Sequence, residues 1–259
     1  MDKFIKKNQM FSPLDQFETY SLFSFTAPIL GNFNISLTNL GLYTLIIFTI
    51  IVGLHSFSNN NFALVPSSYS IALESLFATI TSIVRNQIGE NKEVYIPLIY
   101  SLFIFVLISN LVSNVAYNFA VTSSVIVCLG LSVTVFLGVT ILALKEHGIK
   151  FFSYFVPAGT PIALVPLLVL IELVSYLARA VSLGLRLFAN IVAGHTLLAI
   201  LSSFLFKLFT SSILIFFVTL IPFTVFLGIM GLELAVSFIQ SYVLTLLVCS
   251  YIKDAIYLH

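Results

Sequence analysis

The chain has 259 residues, of which 59% are hydrophobic and only 8% charged, with a mean hydropathy of +1.12. Soluble domains carry about 25% charged residues, so these few charges cannot coat a water-facing surface, and disorder, collagen and a disulfide scaffold are excluded as well. Eleven Lys and Arg against ten Asp and Glu leave a formal charge of +1, with no basic excess to grip nucleic acid.

The first ten residues include Lys3, Lys6 and Lys7 but no long apolar core, so they do not make a secretory signal. From Thr19 to Leu73 there is no Lys, Arg, Asp or Glu. The densest part predicts a membrane helix over 37–57, followed by the polar turn Ser58-Asn59-Asn60-Asn61. His55 borders that turn and is read as interfacial.

Residues 69–88 differ. Leu73, Leu76, Phe77, Ile80, Val84 and Ile88 recur at three- and four-residue steps, with Glu74, Ser75, Ser82 and Arg85 elsewhere. That pattern predicts an amphipathic helix along the membrane surface, with a short span as the alternative. Val94 to Leu144 is again free of formal charge and long enough for two crossings. Ser113-Asn114 to Asn118 marks the turn, giving a hairpin over 95–112 and 119–144. Lys145, Glu146, His147 and Lys150 then mark an interface. Cys128 and Cys249 lie in apolar runs and read as small buried hydrophobes, with no redox or metal signal.

Pro157, Pro161 and Pro166 set the start of the next helix at or after Pro161. Two long helices follow, over 161–201 and 211–251, with Pro222 as an expected kink in the second. Each exceeds the length of one perpendicular crossing. The fold class is therefore an all-α membrane protein. It has about five membrane-embedded helices plus one amphipathic surface helix, the last two long and strongly tilted. On this count Arg85, Lys92, Lys145, Lys150 and Lys253 share one side, and Lys207 falls on the other with the N-terminal lysines.

An ionisable group at mid-bilayer costs at least about 2.5–3.5 kcal/mol, so it asks for a reason. Glu172, Ser175, Arg179, Ser182, Arg186 and Asn190 are spaced by three or four residues and form one polar stripe. Glu172 to Arg186 spans roughly 21 Å of helix. His195 lies about 180° round from Arg186 and serves another face. In the last helix Glu233, Ser237, Gln240 and Ser241 make a second stripe. A bland reading pairs these charges inside a bundle, Glu172 with Arg179 or Glu233 with Arg186. The functional reading is an ion path with carboxylates and His as relays and Arg as a fixed charge. No phosphate loop, no H-E-x-x-H and no Cys pair with metal spacing occurs, so neither a cofactor nor a metal is expected.

Leu183-Gly184-Leu185-Arg186-Leu187-Phe188-Ala189-Asn190-Ile191-Val192-Ala193-Gly194-His195 closely resembles the signature of subunit a of the rotary F-type ATP synthase, L-x-L-R-L-x-x-N-x-x-A-G. The likeness extends to Pro157-Ala158-Gly159-Thr160-Pro161 and to Glu233 with Gln240. The segment Ser12 to Glu18 and the ending Tyr251 to His259 look like fungal mitochondrial members. This resemblance implies the stator half of a proton motor in the mitochondrial inner membrane, a multi-pass chain facing a ring of c subunits. It implies contact with other membrane and peripheral-stalk subunits too, but no covalent chemistry in this chain.

By the same resemblance Arg186 matches the arginine that faces the ring carboxylates. His195 and Glu233 match the pair in the half-channel from the intermembrane space, and Glu172 the acidic position in the half-channel towards the matrix. Asn190 and Gln240 match polar positions flanking the arginine; Asp254 is placed at the matrix exit, and Arg179 joins the proton-path set. Residues 1–11 are expected to be a cleaved leader, leaving 12–259 as a single membrane domain. The rival reading is a non-conducting structural subunit of a respiratory complex. A secondary transporter is disfavoured because no repeated halves are visible.

Overall fold

In the computed structural model the described residues are 14–27, 33–58, 66–115, 118–155, 164–210 and 213–257. The expected leader, the lysines in it and Pro157 to Pro161 lie outside them. Among the described residues six α-helices carry the fold: α1 Asn39–Ser58, α2 Ser68–Ile88, α3 Ile96–Ser113, α4 Val125–His147, α5 Val165–Phe209 and α6 Ile213–Ile256. Five of these, all but α2, are long and apolar enough to cross a membrane.

The sequence did not disclose a small antiparallel hairpin ahead of α1, β1 Ser21–Ala27 with β2 Phe33–Thr38. Its register sets Ser24 opposite Ser36 and Thr26 opposite Asn34. Alternating aromatic and hydroxyl residues from Phe23 to Thr26 suit a strand, but they read as part of an apolar run when only charge is scored. The helix expected from residue 37 starts at Asn39 for this reason, since Leu37 and Thr38 belong to β2.

α2 opens on Ser67, whose side chain accepts from the Ser70 amide at 3.3 Å, and stops at Gly89, where φ is +106°. Few residues but glycine adopt that angle without strain. Its buried side chains are Ile80, Ile83, Val84 and Ile88, while Tyr69 and Ile71 are exposed. Only the second half of the helix is embedded in the bundle.

α4 corrects an expected boundary. It starts at Val125 rather than residue 119, because Val121–Ser123 forms a separate, buried 3₁₀ turn. Ser123 Oγ donates to the Ala120 carbonyl at 2.6 Å, an example of a hydroxyl offering the backbone an alternative to helix. The other long helices run further than expected, α5 to Phe209 and α6 to Ile256, and α6 continues through Pro222.

The core lies where α2, α3, α4 and α6 meet, around Val84, Ile99, Leu107, Cys128, Val248 and Cys249. α3 and α6 are antiparallel. Asn114 at the end of α3 donates to Ser237 Oγ at 2.9 Å, while Gly89 before α3 approaches Tyr257 after α6. Basic residues gather at one end of the bundle. Arg85 pairs with Glu93 at 2.8 Å, Lys92 with Glu146 at 3.7 Å, and the His147 ring meets the Ile256 carbonyl at 3.0 Å. His55 bonds the Ile51 carbonyl and the Tyr100 hydroxyl, tying α1 to α3.

Candidate functional site on the two long helices

α5 has 45 residues and α6 has 44, so each is about 66–68 Å long, more than twice a bilayer core of about 30 Å. They run antiparallel: Arg179 meets Asp254 near one end of the pair, and His195 meets Glu233 further along. From Arg179 to His195 is about 24 Å of helix, with Arg186 between them.

Two glycines in α5 set how closely its neighbours approach. A Cβ on Gly184 would lie 2.7 Å from Ser132 Oγ and 2.9 Å from the Cys128 carbonyl oxygen, so α4 packs against bare backbone there. Small residues hold membrane helices together in this way, because lipid is as apolar as a leucine side chain. A Cβ on Gly194 would lie 2.7 Å from Glu233 Oε1. The carboxylate thus rests on the backbone of α5, beside His195.

The polar stripe of α5 divides into two. At about 100° per residue, Glu172, Arg179 and Asn190 fall within about 20° of one line, and Arg186, Ser175 and Ser182 lie about 40–80° round from it. The first three are half-buried; the second three are exposed. Arg179 bridges two carboxylates, Glu172 at 3.8 Å and Asp254 at 3.3 Å. The expected Glu172–Arg179 pair is therefore present. A cavity of about 30 Å³ beside Arg179 and Asp254, walled by Tyr176 and Tyr251, is large enough for a bound water.

Arg186 has no ion pair among the described residues, so the alternative pairing of Glu233 with Arg186 is not formed. Its neighbours in an open groove along α5 are Val181, Ser182, Leu185 and Ala189. A permanent cation is held on an outer, exposed face.

Glu233 is 9% exposed, and its Oε1 lies 3.8 Å from His195 Nε2, with neither atom hydrogen-bonded to protein. That gap suits a bridging water. Both residues line a cavity of about 750 Å³ whose wall includes Asn114 and Asn118 beyond α3, Asn39 and Tyr43 of α1, and Ser202 of α5. Gln240 and Ser241, both about two turns beyond Glu233, are buried in the bundle.

Sequence reasoning missed the N-terminal residues of this cavity. Asp15, Gln16 and Glu18 line it, and the Phe17 ring stands edge-on to His195 with centroids 6.3 Å apart. Tyr20 donates to Glu18 at 3.0 Å, a bond that holds its phenol above the usual tyrosine range. The available signal was two carboxylates three residues apart, just before a long run without charge. Apart from the three acids and His195, no charged residue among the described residues lines it.

Comparison with known proteins gives these features a family. The profile described as ATP synthase A chain matches residues 41–253. ATP synthase subunit a of Mycosarcoma maydis is 58% identical over 248 residues, covering 96% of this chain and 98% of that one. Its counterparts in Emericella nidulans and Kluyveromyces lactis are 52% and 47% identical, each across at least 96% of both chains. With six α-helices among the described residues, five of them apolar enough to cross a membrane, this chain belongs to the ATP synthase A chain family, a non-catalytic membrane subunit of the proton-translocating sector of ATP synthase.

Proposed function

We propose that the chain is the stator of the membrane proton motor in the mitochondrial inner membrane, presenting Arg186 to a ring of c subunits between two blind half-channels. One observation carries this reading: among the described residues Arg186 lies exposed and without an ion pair between two polar sites, the His195–Glu233 cavity and the Arg179–Asp254 cluster, and lines neither of their cavities. A packing charge would be paired and covered instead. The groove of small and aliphatic side chains around Arg186 supports a neighbouring helix at that face.

Guanidinium stays protonated at any working pH, so Arg186 cannot relay a proton. It favours the ionised form of a ring carboxylate brought opposite it and so promotes release of that carboxylate's proton. It also stands as a barrier to leakage between the sites. A proton arriving by way of Glu233 and His195 neutralises a ring carboxylate, which can then enter lipid, where the anion would be too costly. After the ring has turned, the proton leaves past Glu172, Arg179 and Asp254. Asn190 and Gln240 flank the arginine as uncharged hydrogen-bonding groups. The clustering of Arg85, Lys92, Lys145 and Lys253 at the Asp254 end supports placing that end on the matrix side. Each proton crossing supplies about 2.3 kcal/mol per 100 mV.

The test uses the whole ATP synthase carrying Arg186→Ala, reconstituted into liposomes. ATP-driven proton pumping should be lost while the complex still assembles with its ring of two-helix subunits. Coupled pumping in an assembled variant would leave only the scaffold role.

A further inference from the structure

We propose that residues Leu14 to Tyr20 form the outer lip of the proton intake, with Asp15 and Glu18 making its mouth anionic and Phe17 acting as a positioning residue for His195. This rests on the reading of the His195–Glu233 cavity as the intake side.

The lip is the 3₁₀ turn Asp15–Phe17 and the extended residues that follow it. The turn points its two functions in different directions. Asp15 and Glu18 are exposed on the cavity wall, whereas Phe17 is half-buried with its ring edge-on to the imidazole. An edge-to-face pair fixes ring orientation as well as distance. Glu233 Oε1 stands 3.8 Å from His195 Nε2; Glu233 is nine-tenths buried, lines the same cavity, and this oxygen lacks a hydrogen-bond partner among the described residues. That oxygen points to an occupant from solution, and a hydrated proton is the cation whose passage the site would serve.

The groups facing His195 are few. The lip offers Asp15, Glu18 and the phenol of Tyr20; α1 offers the phenol of Tyr43; α6 offers Glu233. Among the described residues, the end of α3 and the turn after it contribute the Ser113 hydroxyl and the amides of Asn114 and Asn118. No lysine or arginine among the described residues lines this mouth. A concave site of one sign focuses counter-ions and raises their local concentration. The mouth therefore enriches protons above bulk, and the enrichment is screened by salt over about 8–10 Å.

The experiment measures ATP synthesis by the reconstituted complex after a pH jump, with the intake-side pH and salt both varied. For Asp15→Asn with Glu18→Gln, half-maximal synthesis at low salt should require about threefold more protons, and the gap should close at high salt. The effect falls on half-saturation more than on the maximum. Phe17→Ala should instead lower the maximum several-fold, less than the roughly hundredfold cost of a relay group displaced by about 1 Å, and Phe17→Tyr should restore it. Curves that superimpose on the parent at every salt concentration overturn the anionic mouth; an unaltered Phe17→Ala maximum overturns the positioning role. Arg186→Ala, run in parallel, separates the levels: if it abolishes coupling while the lip variants are silent, only the lip proposal falls.

Discussion

Gly194 and the Glu233 carboxylate share one space. The Cβ that Gly194 lacks would sit 2.7 Å from Oε1 and 3.1 Å from Cδ of that carboxylate. The glycine that ends the arginine-bearing motif thus seats a buried acid on the next helix. Gly194→Ala should push Glu233 away from His195 while α5, as a helix, gains from alanine. A relay group displaced by about 1 Å costs on the order of a hundredfold in rate. ATP-driven proton pumping should fall steeply in a complex whose thermal stability is unchanged or higher; undiminished pumping would show that the carboxylate needs no such seat.

Gly184 makes a different contact, with the α4 backbone at the Cys128 carbonyl and with Ser132. Backbone cannot move aside as a carboxylate can. Gly184→Val should therefore force α4 and α5 apart, at an overpacking cost of about 1–3 kcal/mol or more. The expected result is loss of assembled complex on native gels. Wild-type levels of assembly would contradict the close packing.

Glu233→Gln keeps the shape of the side chain and removes its titration. Proton transfer by a positioned group contributes about 10²–10⁴ in rate, so ATP synthesis should slow by about a hundredfold or more, with little effect on assembly. Unchanged synthesis rates would remove Glu233 from the relay.

Asn114 and Ser237 join the end of α3 to α6 through a 2.9 Å hydrogen bond at the rim of the cavity. Bonds of this kind in membrane proteins average about 0.6 kcal/mol and reach about 1.7. A double-mutant cycle of Asn114→Ala and Ser237→Ala, read by unfolding in mixed micelles, should give a coupling in that range. A coupling of zero would mean that the bond adds nothing to stability.

Much was legible in the sequence because helical periodicity is local. Runs without charge gave the spans of α1, α3, α4, α5 and α6, and the three- and four-residue apolar steps gave α2. The stripe from Glu172 to Asn190 and the opposite placement of His195 followed from the angle per residue alone. The β1–β2 hairpin was not legible, since its strands sit inside an apolar run and charge counting does not separate a strand from a helix there. The early start assigned to α4 failed similarly, because Ser123 diverts the local backbone into a separate turn.

The sequence by itself determined that the chain is a helical membrane protein with a line of ionisable groups on one long helix, since insolubility in water and helical repeat depend only on composition and spacing. Tertiary structure alone decided which part of that line is covered. Packing of α6 along one edge of the stripe half-buries Arg179 with Glu172 and Asp254, and leaves Arg186 on the open edge. It also decided that Phe17 meets His195 and that Asp15 and Glu18 line its cavity, some 180 positions away in the chain. Contacts between residues so distant depend on how several helices stack, and no local pattern encodes that.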